Sequence, residues 1–431
     1  MLHNPTRVSP SRTRLLATAS AVALLGLASP LSAAAAPPSL NTWVPLASLP
    51  EPQDRPVLAL AVDPADSRQV LVGTAAGQIY RSTDGGESWR LAKGGLGRGV
   101  VALAFNPLKP GVVLAGTRGS GVWRSQDGGA SWQVQPGTET RSTRAFGFAR
   151  AVTMVGTDQG VLVNREGGPW SSGGLNQVTI SALAVAAVND PPRFVAGGDT
   201  TRGAEAVPLF SSADGGETWA AEPGSLAGSR MVAMLTAGPL LAQQSIRPLL
   251  LGTNSGLFMS LDNAATWQQL TGGGVLPATD FNAGGFVTSH PDRFYVASDG
   301  GSSDLGGLWS TADAGAHFSS LKPPLPAVTA LAVSNDETPT LYVATFRGSD
   351  HAVLLWSYRD AGGPPQPPVA GLPAPASNSS GQPSAAVPGR RAGWLLALLS
   401  GPEAPYLGAG AAALLVLLLA LVTHFRRARR L

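Results

Sequence analysis

The chain contains no cysteine, which excludes a disulfide scaffold, an iron–sulfur cluster, a thiolate zinc site and a cysteine nucleophile. Charged residues make up only 13% of it, about half the usual share. A coiled coil or a helical bundle needs many charged helix formers, so neither fits. Histidine is scarce: between residues 37 and 389 there are three, His290, His317 and His351, none paired at metal-ligand spacing. No Gly-x-Ser-x-Gly elbow and no P-loop occurs. What the chain has in excess is glycine (53) and proline (36), about a fifth of its 431 residues against a usual eighth. That composition suits many short strands joined by tight turns.

The net charge of +3 conceals a division by region. Residues 1–36 hold Arg7, Arg12 and Arg14 and no acid, and residues 390–431 hold six arginines and one acid, Glu403. The body between them keeps 21 basic and 26 acidic residues, a net of −5. Nucleic-acid binding runs on basic surface, so no nucleic-acid partner is expected.

Both ends read as membrane-directed. Three arginines precede the apolar run Leu15 to Ala28, followed by small residues up to Ala36, the pattern of a signal peptide over 1–36. The alternative is an uncleaved N-terminal anchor. Residues 406–425 carry no formal charge and are long enough for a transmembrane helix; the basic tail 426–431 follows. The positive-inside rule places that tail in the cytoplasm and the body outside the cell membrane. Residues 364–389 read as a Pro-rich stalk and 390–405 as a juxtamembrane segment with Trp394 as interfacial anchor. The apolar span and arginine cluster also suit a wall-sorting signal, but no Leu-Pro-x-Thr-Gly motif accompanies them.

A repeat fills the body. STDGGESW (82–89), SQDGGASW (125–132) and SADGGETW (212–219) are near-identical, and SLDNAATW (260–267) and TADAGAHF (311–318) are weaker copies. NREGGPW (164–170) and YRDAGG (358–363) are more eroded. The acidic positions, 84, 127, 166, 214, 262, 313 and 360, fall 39 to 51 residues apart. Each unit carries an apolar run, a short strand ending near Gly-Thr, and a third strand with an aromatic four residues before the acid, except the third unit, which has Leu162 there. A fourth strand is expected to open on the closing aromatic of the box. Four short strands per period predict a seven-bladed, all-β propeller over 42–363. The seventh unit lacks its fourth strand, and Trp43-Val44-Pro45 matches the missing piece, so the N-terminal strand should complete the last blade.

The boxes resemble the Asp-box, or bacterial neuraminidase (sialidase-type) repeat, Ser-x-Asp-x-Gly-x-x-Trp. The resemblance implies structural turns at Asp84/Trp89, Asp127/Trp132, Asp214/Trp219, Asp262/Trp267 and Asp313/Phe318. Many propellers of this kind are glycosidases, which makes a sialidase-like or glucanase-like glycoside hydrolase the alternative reading. The sialidase Phe/Tyr-Arg-Ile-Pro motif is absent, however: Arg-Pro occurs only at Arg55-Pro56 and Arg247-Pro248. A second resemblance, over 42–363, is to photosystem II assembly and stability factors, seven-bladed propellers that act as binding scaffolds outside the membrane. It implies a protein-binding or assembly role, with no catalytic residue, metal or cofactor and a monomeric body. An acidic loop, Asp299 to Asp304, is a place where a calcium ion could sit.

For binding, the arginines stand out. Arg55, Arg98, Arg144 and Arg230 lie just ahead of apolar first strands, and Arg118, Arg202 and Arg347 in second-to-third-strand loops. These seven are expected to form a collar around one mouth of the central channel and to take an acidic segment of a membrane or secreted protein. Asp158, Asp299, Asp304 and Asp350, on the same face, could instead pair with the collar.

Overall fold

The computed structural model describes residues 39–363, apart from 52, 200–207, 223–225, 227–228, 242–245, 278–279 and 302–304. The signal segment, the stalk, the juxtamembrane segment, the transmembrane helix and the basic tail expected from the sequence all lie outside the described residues. Among the described residues no helix is long and apolar enough to cross a membrane.

The described strands form seven four-stranded antiparallel sheets. Blade 1 runs Val57–Asp63, Asp66–Thr74, Ile79–Ser82 and Arg90–Lys93; blade 2 runs Val100–Phe105, Val113–Thr117, Val122–Ser125 and Gln133–Val134. Blade 3 has Thr143–Phe148, Val152–Thr157, Gly160–Arg165 and Trp170–Ser172; blade 4 has Ile180–Ala187, Arg193–Gly198, Leu209–Ser212 and Ala220–Ala221. Blades 5 and 6 begin at Val232–Ala237 and Ala283–Val287 and end at Gln268–Leu270 and Ser319–Ser320. Blade 7 takes Val328–Val333, Thr340–Arg347 and Ala352–Arg359 from the end of the body and Trp43–Pro45 from its start. First strands touch their neighbours in turn, and blade 7 meets blade 1, so the ring is closed.

The closing strand pairs as the Trp match predicts: Trp43 faces Tyr358, Val44 faces Ser357 and Pro45 faces Trp356. Trp43 is 1% exposed, packs on the Tyr358 ring at 4.8 Å and donates its indole N–H to the Leu321 carbonyl of blade 6 at 2.9 Å. Asn41 adds a clasp: its amide donates to the Gly362 carbonyl at 2.7 Å and its side-chain oxygen accepts the Ala361 N–H.

Alternation of apolar residues gives each blade two apolar faces, so the hydrophobic core is divided among the seams. Each of the seven blade interfaces holds one buried cluster. The third-strand column Tyr80, Trp123, Leu162, Phe210, Phe258, Trp309 and Trp356 keeps one register, each facing a small or branched residue of the second strand, such as Val72, Ala115 and Val343. The seam between blades 2 and 3 is the thinnest: its buried part is Leu114, Val122, Val155 and Leu162.

The boxes are hydrogen-bonded turns between third and fourth strands. In blade 2 Ser125 donates to Asp127 at 2.7 Å and accepts the Gly129 N–H, while Asp127 accepts the N–H and hydroxyl of Ser131. Asp84, Asp214, Asp262 and Asp313 repeat the pattern with Ser88, Thr218, Thr266 and His317. The second box glycine is needed twice over. Gly129 has φ +87°, and a Cβ there would stand 2.7 Å from Leu71 of the preceding blade.

The box aromatics correct one expectation in part. Trp89, Trp132, Trp219, Trp267 and Phe318 do not open the outer strands; each sits one residue ahead of its strand, whereas Trp170 and Trp43 do open theirs. The carboxylate holds the residue just before each aromatic in the turn, so ladder pairing starts one residue after it. Gln133 pairs with Arg124, Gln268 with Met259 and Ser319 with Ser310. The aromatic side chain meanwhile fills the seam with the preceding blade. Trp132 is 7% exposed, joins the cluster between blades 1 and 2, and donates its indole N–H to Gly129 of its own box at 2.9 Å. Trp89 and Trp219 reach further back, donating to the carbonyls of Ala47 and Gly173. Trp267 is only half-buried against the cluster between blades 4 and 5, and its indole N–H finds no acceptor among the described residues. Phe318, 5% exposed and with no N–H to place, meets the Phe294 ring edge-on at 5.8 Å between blades 5 and 6. The five aromatics thus share a seam position, but not a hydrogen bond.

Candidate functional site

The antiparallel order separates two faces. Box turns lie with the first-to-second-strand loops, as the bonds from Gly85 to Arg68, Gly128 to Gly111 and Gly215 to Pro192 record. The remaining loops lie at the opposite ends of the strands. Arg55, Arg98, Arg118, Arg230 and Arg347 are on that opposite face; Arg202 lies outside the described residues.

A uniform collar is not what the structure draws. Arg347 makes a two-pronged ion pair with Asp350, at 2.8 and 2.7 Å, which also holds the Asp350 carboxyl below its usual range. Arg55 stands 4.0 Å from Asp54 with both side chains mostly in water. Arg98, Arg118 and Arg230 are exposed and form no ion pair with any described residue. Asp158 accepts the Ser142 N–H and Asp299 the Gly301 N–H, and neither forms an ion pair with a described arginine; Asp304 lies outside the described residues.

Arg144 does not occupy the register its sequence neighbours suggested. Arg55, Arg98 and Arg230 each sit two residues before their first strand, and in blade 3 that position belongs to Arg141. Counting back from the strand start, rather than from the apolar run, identifies it. The Arg98 N–H meets the Arg118 carbonyl at 3.5 Å and the Gly121 N–H meets the Arg141 carbonyl at 3.0 Å. Three arginines, Arg98, Arg118 and Arg141, are thereby gathered over blade 2 and its junction with blade 3. Among the described residues the Arg141 guanidinium binds only the Gln159 amide oxygen.

Arg144 lies deeper, in the channel itself. In six blades the second residue of the first strand is a bulge, skipped by the pairing with the second strand: Leu58, Val101, Arg144, Ser181, Ala233 and Thr329. In blade 6 Asn282 takes this place, donating its N–H to Ala297. A bulge re-aims a side chain, and all seven of these residues line the channel mouth. The next layer down is alanine at six positions, from Ala59 to Ala330, with Met234 the seventh. Below it come five leucines (Leu60, Leu103, Leu183, Leu235 and Leu331) with Phe146 and Gly284. The space between these residues, open to solvent, measures about 360 Å³.

Polar groups at this rim are mostly spoken for. Ser181 donates to the Val232 carbonyl at 2.6 Å and the Asn282 amide to the Val328 carbonyl at 3.3 Å, each tying its blade to the next. Arg144, 40% exposed, stands 3.6 Å from Asp199, a loose pair worth little in water. Among the described lining residues Arg144 is the one charged side chain; no Asp or Glu borders the cavity. No group of three or more His, Asp or Glu among the described residues is placed to hold a metal ion.

No family model matches the chain, and no curated protein matches it in sequence. Solved structures do resemble it. The WD40 repeats of RRP9 superpose with a TM-score of 0.55 at 12% identity, covering 74% of this chain and 98% of that one. YCF48 from Cyanidioschyzon merolae gives 0.52 at 13% identity, covering 74% of this chain and 99% of the other. YCF48 bound to D1 peptide gives 0.51 at 15% identity over 75% of this chain and 98% of that chain. At these identities the likeness is one of fold: an all-β, seven-bladed propeller.

Proposed function

We propose that this propeller is a protein-binding or assembly scaffold, secreted and held outside the cell membrane by the C-terminal helix expected over 406–425. Its working face is the one opposite the boxes, and its partner is an acidic segment of a membrane or secreted protein. The observation that carries this reading is the trio Arg98, Arg118 and Arg141: three guanidinium-bearing loops side by side, without a carboxylate partner among the described residues. Arg binds carboxylates through paired N–H donors, and an unpaired cluster is free to do so. A similar propeller, YCF48, has been solved with the D1 peptide bound, so a ring of this shape accommodates a peptide. Glycoside hydrolysis needs two facing carboxyl groups, and the channel offers none among the described residues.

Crosslinking of the intact membrane protein, followed by identification of what is captured, tests the reading. The expected result is one principal partner with an acidic exposed segment, captured far less by the Arg98→Ala/Arg118→Ala/Arg141→Ala protein at unchanged thermal stability. Equal capture by that variant, or carbohydrate turnover by the purified body that is lost on changing a carboxylate, would overturn it.

A further inference from the structure

The box face carries a cation that nothing answers. Arg247 lies in the first-to-second-strand loop of blade 5, just ahead of Leu249–Thr253, and its N–H donates to the Ala186 carbonyl of blade 4 at 3.1 Å. Its side chain is half-buried. The Nε is shut off from water without an acceptor, and no carboxylate stands within ion-pair distance among the described residues. The undescribed stretch 242–245 beside it, Ala-Gln-Gln-Ser, holds no acid. Burial is the one influence on this guanidinium, and it acts against the charge. Arg165, Arg193 and Arg293, also at the box ends of their blades, are answered: each donates to a box carbonyl of the next blade and pairs with an acid. An anion reaching Arg247 meets a cation already stripped of part of its water, so the pair gains more than two solvated charges would. The surface beside it is apolar. Ala187 pairs with Ile246, and Val188 follows Ala187. The Leu241 N–H bonds the Ile246 carbonyl, and Leu240 precedes Leu241. Ser260 pairs with Leu249, which brings Leu261 level with Pro248. Val188, Leu240 and Leu261 are 44, 44 and 55% exposed. The fold does not demand Leu261: at the same place in their boxes blades 1 and 2 have Thr83 and Gln126.

We propose that this end of blades 4 and 5 is a second binding site, for an apolar protein segment that carries a single carboxylate. Arg247 takes the carboxylate, and Val188, Leu240 and Leu261 take the apolar side chains around it. Asp190, Asp214 and Asp262 lie at the same end of these two blades, so a chain of many acids is repelled where a lone one is not. The site does not depend on the arginine loops of the opposite face, and it asks for a different partner chemistry: apolar area around one charge rather than many charges.

Fluorescence anisotropy on the full-length protein tests this with labelled peptides capped at both ends, Gly-Ser-Leu-Leu-Glu-Leu-Ser-Gly and versions with Gln for Glu or Ser for every Leu. The Leu–Glu peptide is expected to bind about tenfold or more tighter than the Ser version, the scale of partly burying two or three such side chains. It should also bind several-fold tighter than the Gln version. In Arg247→Gln the Glu-over-Gln preference should vanish while the Leu-over-Ser preference remains. In Leu240→Gln/Leu261→Gln, both changes at exposed positions, the Leu-over-Ser preference should shrink while the Glu-over-Gln preference remains. The denaturant midpoint of Arg247→Gln should equal or exceed that of wild type, since no pair within the protein is lost. Equal binding of the three peptides, no binding of any, or preferences unchanged in the variants would overturn the site. So would a marked fall in the midpoint of Arg247→Gln, which would mean that the protein itself holds the guanidinium. The Arg98→Ala/Arg118→Ala/Arg141→Ala protein separates this site from the opposite face. It should bind the Leu–Glu peptide as wild type does; loss of that binding would move the peptide to the arginine loops and overturn the second site. A peptide of eight Glu should bind wild type and not that triple variant; if it does so, the scaffold reading stands even when the second site fails.

Discussion

At the scale of single residues, the box aspartates show what a carboxylate is for when it does no chemistry. The Asp127 carboxyl is held down at about 2 chiefly by the Ser131 hydroxyl, against the upward push of burial, and with help from the Ser131 N–H and the Ser125 hydroxyl. In Asp313 the N–H and ring of His317 do the same work, again to about 2. Asp214 is lowered further in the same direction by Thr218. For Asp84 and Asp262 burial is the largest influence and pushes upward, yet the combined hydrogen bonds outweigh it. A carboxyl whose folded pKa is depressed stabilises the fold above its unfolded value, near pH 4, and loses that contribution as pH falls through the folded value. Acid titration followed by tryptophan fluorescence should therefore show stability falling mainly between about pH 4 and 2. Asp127→Asn should flatten that limb slightly. Because the box turns are exposed, the variant should cost only about 1 kcal/mol in urea unfolding.

At the scale of elements, the outer strand of blade 7 is the test piece. Trp43→Ala removes a fully buried indole, its contact with Tyr358 and its bond to Leu321. The expected loss is about 3–5 kcal/mol, measurable as a shift in denaturant midpoint. Deleting residues 39–46 should cost more, since it also exposes the edge of Ala352–Arg359. This strand was legible in the sequence because the box Trp marks strand position independently of chain order. Its mark is good to one residue: Trp132, Trp267 and Phe318 belong to the turn, because the motif records the seam the ring enters and not where pairing begins. The first-strand bulge was not legible: it depends on which backbone groups pair, and residues as unlike as Leu58, Arg144 and Ser181 occupy it. Arg144 was accordingly read as a loop residue, and Arg141 was missed. The seventh box also hid its role. Asp360 keeps the acidic position, yet it is 3% exposed, paired with Arg293 of blade 6 at 2.8 Å and accepting the Tyr295 hydroxyl at 2.7 Å. Nothing in YRDAGG distinguishes a buried interblade ion pair from an eroded surface turn, because its partners lie some 65 residues upstream.

At the scale of the whole molecule, a ring with its core divided among seams is as strong as its thinnest seam. Between blades 2 and 3 four buried side chains stand where the seam between blades 4 and 5 has twelve. Hydrogen exchange at neutral pH should show the earliest amide exchange in the paired strands flanking that seam, Val122–Ser125 and Val152–Thr157, ahead of Val195 and Leu251. Slower exchange there than at the seam of blades 4 and 5 would contradict this. Leu162→Ala should accelerate it locally. The same seam underlies Arg141 and Arg144, so a partner seated there ties together the two blades that hold each other least. Added partner should therefore slow exchange at this seam more than elsewhere.

The meeting of Trp43–Pro45 with Ala352–Arg359 also has a meaning in time. Asn41 leaves the ribosome early and finds its place only when Gly362, 321 positions later, has followed. At ordinary synthesis rates that is a wait of roughly 15 to 60 seconds. Throughout it the last blade does not exist, and the opening strand has nowhere to lie. A chain broken off before that point keeps an unpaired edge at one end and a bare indole at the other, both of them ready marks for a protease. The join thus works as a check on completeness: the molecule becomes resistant only when all of its body has been made.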